Sequence, residues 1–487
     1  MEPGNLRFGG GVGQTLVHPI ILIAVLIAGV LICFGSRNKA LAAFLAGAIL
    51  IPFDQILLIG PLHFPMLRVL IVFGAFRMLR VKLSGAKLPG AGWNRIDLAM
   101  IALTIFTALD GILLYRESSA VIFQLGNLYS AFGAYFLLRF LIRDEADVLR
   151  AVRMFAWIAL FVAAIMSYEQ ATGRNPYYAY LGGANAAMYG SSLERDGKFR
   201  AAGCFGHPIL AGTFGAISLP LFVGLWWRDR QSRTLAALAI AAATIIALAA
   251  NSSTALLGYV GGLIALSFWP MRKWMRPVRW IIVITLVSLH IVMKAPVWHL
   301  ISRIDVTGSS SSYQRYQLIN QCILHFRDWW LIGTKSYADW GWHMWDLSNQ
   351  YVGTADTVGL IPLLSFLAVI VFGFKYIGKA RRMAPERQQE LFAWAIGAAL
   401  FANVVAFFGI GYFDQTIVAW YALLAIIPVT ACSVRKAKRE RAGRKSQDEQ
   451  VSVSLVDDQD SVEPTPVASS ELRLGRINGG VILRGNA

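Results

Sequence analysis

The sequence predicts an all-α membrane protein, a polytopic transmembrane helical bundle of about 12–14 spans. Its 487 residues are 56% hydrophobic and only 15% charged, and the mean hydropathy is +0.54. Soluble globular proteins carry about 25% charged residues. Uncharged runs long enough to cross a bilayer recur along the chain, at 8–36, 118–138, 201–227, 234–271, 391–413 and 415–434. These observations exclude a soluble enzyme, a secreted disulfide scaffold and a fibrous protein.

The apolar stretches divide into thirteen expected spans. Their lengths are close to the roughly 20 apolar residues that a transmembrane helix needs. In chain order we place them near 17–35, 39–55, 64–80, 97–115, 119–141, 150–168, 208–227, 234–250, 254–269, 279–294, 356–374, 391–410 and 414–434.

Arg and Lys residues in the connections alternate between the two sides of this predicted bundle. One side receives 23 basic and 7 acidic residues, whereas the other, with residues 1–16, holds 12 basic and 13 acidic residues. Because cytoplasmic loops carry the excess of basic residues, the C-terminus is predicted to be cytoplasmic. The net charge of +17 therefore reflects topology, and we expect no nucleic-acid partner.

The transmembrane domain is expected at 1–434 and a separate tail at 435–487. The tail begins with the basic run RKAKRERAGRK, which suits the anionic inner leaflet. It then becomes acidic, rich in Ser and poor in aromatic residues, a composition typical of disorder. We therefore predict a disordered cytoplasmic tail.

Two connections on the other side are long, 169–206 and 295–355. The second carries 6 of the 15 tryptophans, Trp298, Trp329, Trp330, Trp340, Trp342 and Trp345. They are explained either by short helices lying in the membrane interface or by a platform whose aromatic faces pack on sugar rings. Cys204 and Cys322 lie in these two connections, as a disulfide or as two free buried thiols.

The apolar hairpin 234–271 is interrupted only by the polar turn Asn251–Thr254. Each arm has about 16 residues, or about 24 Å of helix, which is slightly short for a full crossing. The turn therefore either reaches the membrane surface or lies below it and lines a cavity.

A basic cluster precedes the span at 208–227. Arg195, Lys198 and Arg200 are followed by His207 and then by Pro208, which suits the first turn of a helix. A positive helix N-terminus beside an arginine is a natural anion site. The alternative is an arginine that reaches for the membrane interface beside an ordinary helix cap.

A second arginine, Arg315, stands within the uncharged stretch 306–326. Farther on, His343, Asp346 and Asn349 are spaced by three, so they would share one face of a helix. The sequence contains no HExxH, no Walker-type phosphate loop and no outward-facing DxD. If phosphate is bound, arginines must neutralise it, because their guanidinium groups form bidentate contacts with phosphate oxygens. We expect neither a metal nor a cofactor.

Four segments resemble the O-antigen ligase and O-antigen polymerase family of membrane glycosyltransferases. They are FRAAGCFGHPILAG at 199–212, SSTALLGYVGGL at 252–263, YQRYQLI at 313–319 and WDLSNQYVGTADTVGLI at 345–361. Roughly residues 125–425 follow the order of the family. The resemblance implies a fold of the glycosyltransferase C class and transfer of a glycan from undecaprenyl diphosphate, without metal and generally with inversion. It implies action at the outer face of the bacterial cytoplasmic membrane.

The same resemblance assigns roles to individual residues. Arg200 and Arg315 match the diphosphate-binding arginines of the family, and the matching segments add His207, Asn349 and Tyr351 as substrate-binding residues. The family usually has a histidine as its proposed general base, where this chain has Ser348. Asp346 and His343 are therefore the candidate catalytic bases, Asp346 first, and transfer without a dedicated base stays open. The departure favours chain polymerisation over ligation to lipid A core.

The expected partners are a lipid-linked oligosaccharide donor, a glycan acceptor, membrane lipids and other polysaccharide assembly proteins. Besides polymerisation, ligation of the glycan to a lipid or protein acceptor remains an alternative. A flippase or transporter of lipid-linked glycans would also need many spans, but it would place charges at mid-membrane. A non-catalytic scaffold of a polysaccharide complex is the third class left open.

Overall fold

The computed structural model of the protein describes residues 15–60, 62–85, 92–182, 193–195, 197–303, 311–341 and 343–460. Most of this part of the chain is helical, with very few residues in strands, which confirms the predicted all-α bundle. All thirteen predicted spans coincide with helices: α1 (Pro19–Phe34), α2 (Arg37–Leu50), α3 (Met66–Leu83), α4 (Arg95–Tyr115), α5 (Ser118–Leu141), α6 (Glu145–Thr172), α8 (Pro208–Arg228), α9 (Arg233–Ala249), α10 (Ser253–Ser267), α11 (Met275–Val292), α15 (Leu360–Met383), α16 (Arg387–Ala406) and α17 (Asp414–Asp460).

Short elements join these helices. The part of the chain that the structure describes contains two antiparallel strand pairs, β1 (Ile56–Ile59) with β2 (Leu62–Pro65) and β3 (Leu193–Arg195) with β4 (Lys198–Arg200). The remaining helices are α7 (Pro176–Leu181), α12 (Ser311–Leu324), α13 (Phe326–Trp329) and α14 (Gln350–Val358). Three of these four helices, α12 to α14, lie in or directly after the long connection 295–355.

Nine helices within the described ranges are long and apolar enough to cross a membrane, so the chain is a multi-pass membrane protein. The other four predicted spans are helices that fall short for identifiable reasons. α1, α2 and α10 have only 16, 14 and 15 residues, while α3 carries several basic residues. α2 ends at Leu50 because Pro52 disfavours a helical conformation at Ile51.

The connections predicted to be cytoplasmic meet at one end of the bundle, which we name the basic end. Ion pairs join them across long stretches of sequence: Arg37 with Asp144 at 2.7 Å, Arg228 with Glu145 at 2.7 Å, Arg153 with Asp229 at 2.5 Å and Arg272 with Glu390 at 3.1 Å. These pairs show that the connections after α1, α5 and α8 lie together and that those after α10 and α15 lie together, because residues that pair directly must lie on the same side.

α8 and α17 lie at the centre of the bundle. In each, 83% of the membrane-length window is buried, whereas none of that of α11 is. Gly212 lets α8 approach the turn between α9 and α10 closely, because a Cβ there would lie 2.5 Å from the Cβ of Ala250. The opposite end of the bundle, which holds this turn, the strand pairs and α12, is named the site end.

Residues 435–460 depart from the predicted disorder, since they continue α17 as helix to Asp460. The charge and polarity of this segment are typical of disorder, but Lys, Arg, Glu, Gln and Ala are also strong helix formers. A helix that already exists extends through such residues without a new nucleation cost. A second compact unit begins at Arg439, near the predicted boundary, and residues 461–487 lie outside the described part of the chain.

Candidate functional site

The polar turn between α9 and α10 is the centre of the candidate site. Ser252, Ser253 and Thr254 are buried, and Asn251 and Ser252 line a groove. The turn is therefore buried in the protein and lines a cavity, while its depth in the membrane stays a prediction. Polar residues at such a position are available to partners from other parts of the chain.

Arg315 reaches this turn from α12. Its side chain is only 7% exposed, and its Nη2 donates to Ser253 Oγ at 3.0 Å and to Thr254 Oγ1 at 2.8 Å. These two acceptors are hydroxyl groups, and they orient the guanidinium towards the turn. Because α10 begins at Ser253, the positive end of this helix points to the same place.

Arg200 reaches the same turn from the other side. It ends β4, it is half-buried, and its Nε donates to the carbonyl oxygen of Ala250 at 3.4 Å. The next residue, Ala201, fixes the strand by donating its N–H to the carbonyl oxygen of Ala249 at 3.0 Å. The structure thus brings the two predicted phosphate-binding arginines to the same short segment, Ala250–Thr254.

An open groove of about 650 Å³ runs along α6 and α9 to this turn. Its polar lining lies near the turn and includes Lys198, Gln170, Asn251 and Ser252. Ile245, Leu248 and Leu256 contribute an apolar wall, and Leu248 is 60% exposed. The groove therefore combines one cationic side chain and amides at its head with an apolar side that faces lipid.

His207 begins α8 beside Arg200. Its Nδ1 accepts the N–H of Ile209 at 3.2 Å, and Pro208 follows as the first helical residue. Burial, together with the charge of Arg200, lowers the pKa of His207 to about 4. The ring is therefore neutral at physiological pH and caps the helix, so an arginine rather than this histidine supplies the positive charge here.

Residues 343–349 form turns and irregular structure rather than a helix, so His343, Asp346 and Asn349 do not share a helical face. The reason is Asn349, which caps α14 by accepting the N–H groups of Tyr351 and Val352 at 3.0 and 3.2 Å. A cap residue has extended rather than helical backbone angles. Helix α14 therefore begins only at Gln350, so His343, Asp346 and Asn349 all precede it.

Asn349 and Tyr351 are both engaged in packing. Asn349 is fully buried, and the Tyr351 hydroxyl donates to the carbonyl oxygen of Val404 in α16 at 3.0 Å. The Tyr351 ring packs against Phe407 and Phe408. Binding of substrate by Asn349 and Tyr351 stays a prediction. The hydrogen bond and the ring contacts of Tyr351 hold α14 against the end of α16.

The turn that carries the two candidate bases is attached to the helix of Arg315. Met344, between them, is buried in a small core with Leu318 and Cys322 of α12. Asp346 is half-buried, whereas His343 is exposed and has a positive φ of 56°. The turn that carries Asp346 therefore packs through Met344 on the helix of Arg315.

No protein-family model matches the sequence, and no curated protein matches it.

Within the described ranges, no cluster of three or more His, Cys, Asp or Glu side chains could hold a metal ion. Cys204 and Cys322 are both free and buried, which answers the question that the sequence left open.

The aromatic side chains of the connection 295–355 divide between core and surface. Trp329 is buried and donates to the carbonyl oxygen of Cys322 at 2.6 Å, and Trp340 stacks on His325 at 4.4 Å. Trp330 and Trp345 are exposed, and Trp342 lies outside the described residues. The exposed tryptophans therefore suit either a position in the membrane interface or a surface for sugar rings, and both predictions stay open.

Three residues of the site cannot be identified from the sequence alone. The sequence marks Ser253 and Thr254 as part of a polar turn, but nothing in it indicates that they are partners of Arg315. Glu169, at the end of α6, is only 1% exposed, whereas the sequence predicts a charge in the connection 169–206. An acidic residue that directly follows an apolar span is the only signal that pointed to it.

Proposed function

We propose that the protein is a membrane glycosyltransferase that polymerises or transfers oligosaccharides linked to undecaprenyl diphosphate. One observation carries this proposal: Arg200 and Arg315, distant in sequence, donate to the same turn at the head of a lipid-facing groove. Arginine is suited to phosphate because it keeps its charge and offers several donors in a fixed plane. The resemblance of four segments to the O-antigen ligase and polymerase family supports the same assignment.

The chemistry requires little more than stabilisation of a leaving diphosphate. An acceptor hydroxyl oxygen forms a bond to the anomeric carbon, and the bond between this carbon and the phosphate oxygen breaks. The diphosphate leaves with the electron pair, while the hydroxyl proton passes to a base or to water. Negative charge on the diphosphate grows in the transition state, where Arg200 and Arg315 stabilise it. Attack from the opposite face inverts the anomeric configuration.

The groove suits the lipid portion of such a donor. Ile245 and Leu248 offer an apolar wall open to the bilayer, and Lys198 and Gln170 stand at its head. A polyprenyl chain lying along this wall brings its diphosphate to the turn at Ala250–Thr254 without leaving the membrane. Exposed Trp330 and Trp345 in the adjoining connection offer faces on which sugar rings pack.

The proposed location of the site end is the outer face of a bacterial cytoplasmic membrane. The distribution of Arg and Lys supports a cytoplasmic basic end, and the resemblance to the O-antigen ligase and polymerase family supports a bacterial membrane. There the acceptor glycan and other polysaccharide assembly proteins are accessible. Asp346 is the proposed general base, with His343 as the alternative.

Purified protein incubated with a lipid-diphosphate oligosaccharide tests the proposal. We expect glycans longer than the substrate, formed with chelator present and with inverted linkage at the new bond. If an added lipid or protein acceptor is glycosylated while the glycan does not lengthen, the protein is a ligase. If neither product forms with folded protein, the proposed activity is wrong.

A further inference from the structure

The loop that carries Arg200 is anchored on a buried carboxylate at the end of α6. Glu169 Oε2 accepts the N–H groups of Ala202 at 3.0 Å and Gly203 at 2.8 Å. It also accepts from Asn175 Nδ2 at 3.1 Å, and the same amide nitrogen donates to the carbonyl oxygen of Gly203 at 2.9 Å. Glu169 and Asn175 are almost fully buried.

This arrangement determines the shape of the loop. A buried carboxylate is costly unless several donors satisfy it, so the loop is held where its N–H groups meet Glu169. Gly203 has a positive φ of 61°, and successive N–H groups in such a conformation converge on one anion. Because the pair of N–H groups is buried under Glu169, a phosphate from the groove does not reach them, and their role is to hold the backbone.

Only Ala201 separates Arg200 from the residues that Glu169 holds. The three residues that follow Arg200 are held by two helices, because Ala201 is bonded to α9 and Ala202 and Gly203 are bonded to α6. The Arg200 guanidinium donates to the carbonyl oxygen of Ala250, the residue next to the acceptor of Ala201. A backbone fixed at the adjacent residues sets the direction in which the arginine side chain leaves the main chain, towards the turn that contains Ala250.

We infer that Glu169 and Asn175 are positioning residues, which hold Arg200 in the orientation that binds the diphosphate of the lipid donor. This inference rests on the proposed function, since it concerns the same anion. It differs from a purely structural role in one respect: the influence of Glu169 on diphosphate binding must pass through Arg200.

A double-mutant cycle tests this directly. The full chain is placed in nanodiscs of a zwitterionic lipid, and calorimetry measures the Kd of farnesyl diphosphate, a soluble isoprenoid diphosphate. We expect Glu169→Gln to raise the Kd about tenfold, within the range for coupled neighbours. Glu169→Gln combined with Arg200→Ala should bind no worse than Arg200→Ala alone. Glu117→Gln, an exposed glutamate at the site end, serves as the matched control and should bind like wild type.

The outcomes separate the two levels of the argument. Equal weakening by Glu169→Gln with and without Arg200 would show a general structural role and overturn the inference, as would an unchanged Kd for Glu169→Gln beside a weakened Arg200→Ala. An unchanged Kd for Arg200→Ala would contradict the proposed function and the inference together. If Glu169→Gln does not fold, Asn175→Ala enters the same cycle, because it removes one donor and leaves the carboxylate.

Discussion

Arg315 donates a hydrogen bond of 2.8 Å to Thr254, 61 residues earlier in the sequence. Thr254 Oγ1 donates in turn to the carbonyl oxygen of Gly409 at 3.1 Å, in the connection between α16 and α17. Three separate parts of the chain therefore meet around Thr254, beside a guanidinium that is almost completely buried. Burial and two hydroxyl acceptors in α10 hold the Arg315 side chain in one orientation.

Arg315→Lys and Arg200→Lys should each lower the rate of glycan transfer by about 10²–10³, the usual loss when one donor to a developing charge is removed. Lysine keeps the charge, but its ammonium cannot reproduce bidentate contact with phosphate. The measurement is product formation by purified variants at equal concentration.

Arg327→Lys is the matched control, because Arg327 is exposed on the same connection. It should have the wild-type rate. Normal rates for both site variants would mean that Arg200 and Arg315 merely balance charge at the membrane interface.

The general base is tested by comparing Asp346→Asn with His343→Gln. We expect Asp346→Asn to retain less than about a tenth of the activity, since general-base catalysis contributes about 10²–10⁴. His343→Gln should retain most of it, because His343 is exposed and extends from a strained turn. The reverse order would identify His343 as the base. Near-normal activity of the double variant would exclude both, in favour of proton loss to water.

The sequence predicts most of the fold because each span depends on its own residues. The thirteen helices follow from local hydropathy, and the positions of the basic connections follow from local charge. The ion pair of Arg37 with Asp144 at the basic end is an example of the second. Arg200 and Arg315 could be named from their segments, but their meeting at Ala250–Thr254 depends on how two long connections fold back. Spacing alone suggested a helical face at 343–349, which the cap at Asn349 prevents.

His207 should make the stability of the protein depend on pH. The unfolded chain binds a proton below about pH 6.5, whereas the folded protein resists it down to about pH 4. Stability therefore falls as the pH falls through this window and is unaffected by His207 above it. We expect the thermal midpoint in detergent to fall more on acidification in wild type than in His207→Asn, since asparagine also caps a helix but does not titrate. Parallel curves for the two proteins would contradict this.

Asp356 in α14 should have the opposite pH dependence. Both of its carboxyl oxygens are buried, and this burial outweighs the effect of the neighbouring Cys322 thiol and raises the pKa to about 7. The folded protein thus keeps a proton that the unfolded chain loses above about pH 4, so stability declines between these values. Asp356→Asn should have a higher thermal midpoint than wild type above about pH 7, and the gap should close on acidification. Asp339→Asn, an exposed change nearby, should show no gap; a gap for Asp356→Asn that is independent of pH would contradict the account.

The fate of the polyprenyl diphosphate tests the central claim most directly. Proteoliposomes containing the protein are supplied with a lipid-diphosphate oligosaccharide, and free polyprenyl diphosphate and new glycosidic bonds are measured together. If Arg200 and Arg315 stabilise a leaving diphosphate, one polyprenyl diphosphate is released for each new bond, and Arg315→Lys lowers both products equally. Movement of the intact lipid-linked oligosaccharide across the membrane, with no diphosphate released, would contradict glycosyl transfer and identify a transporter.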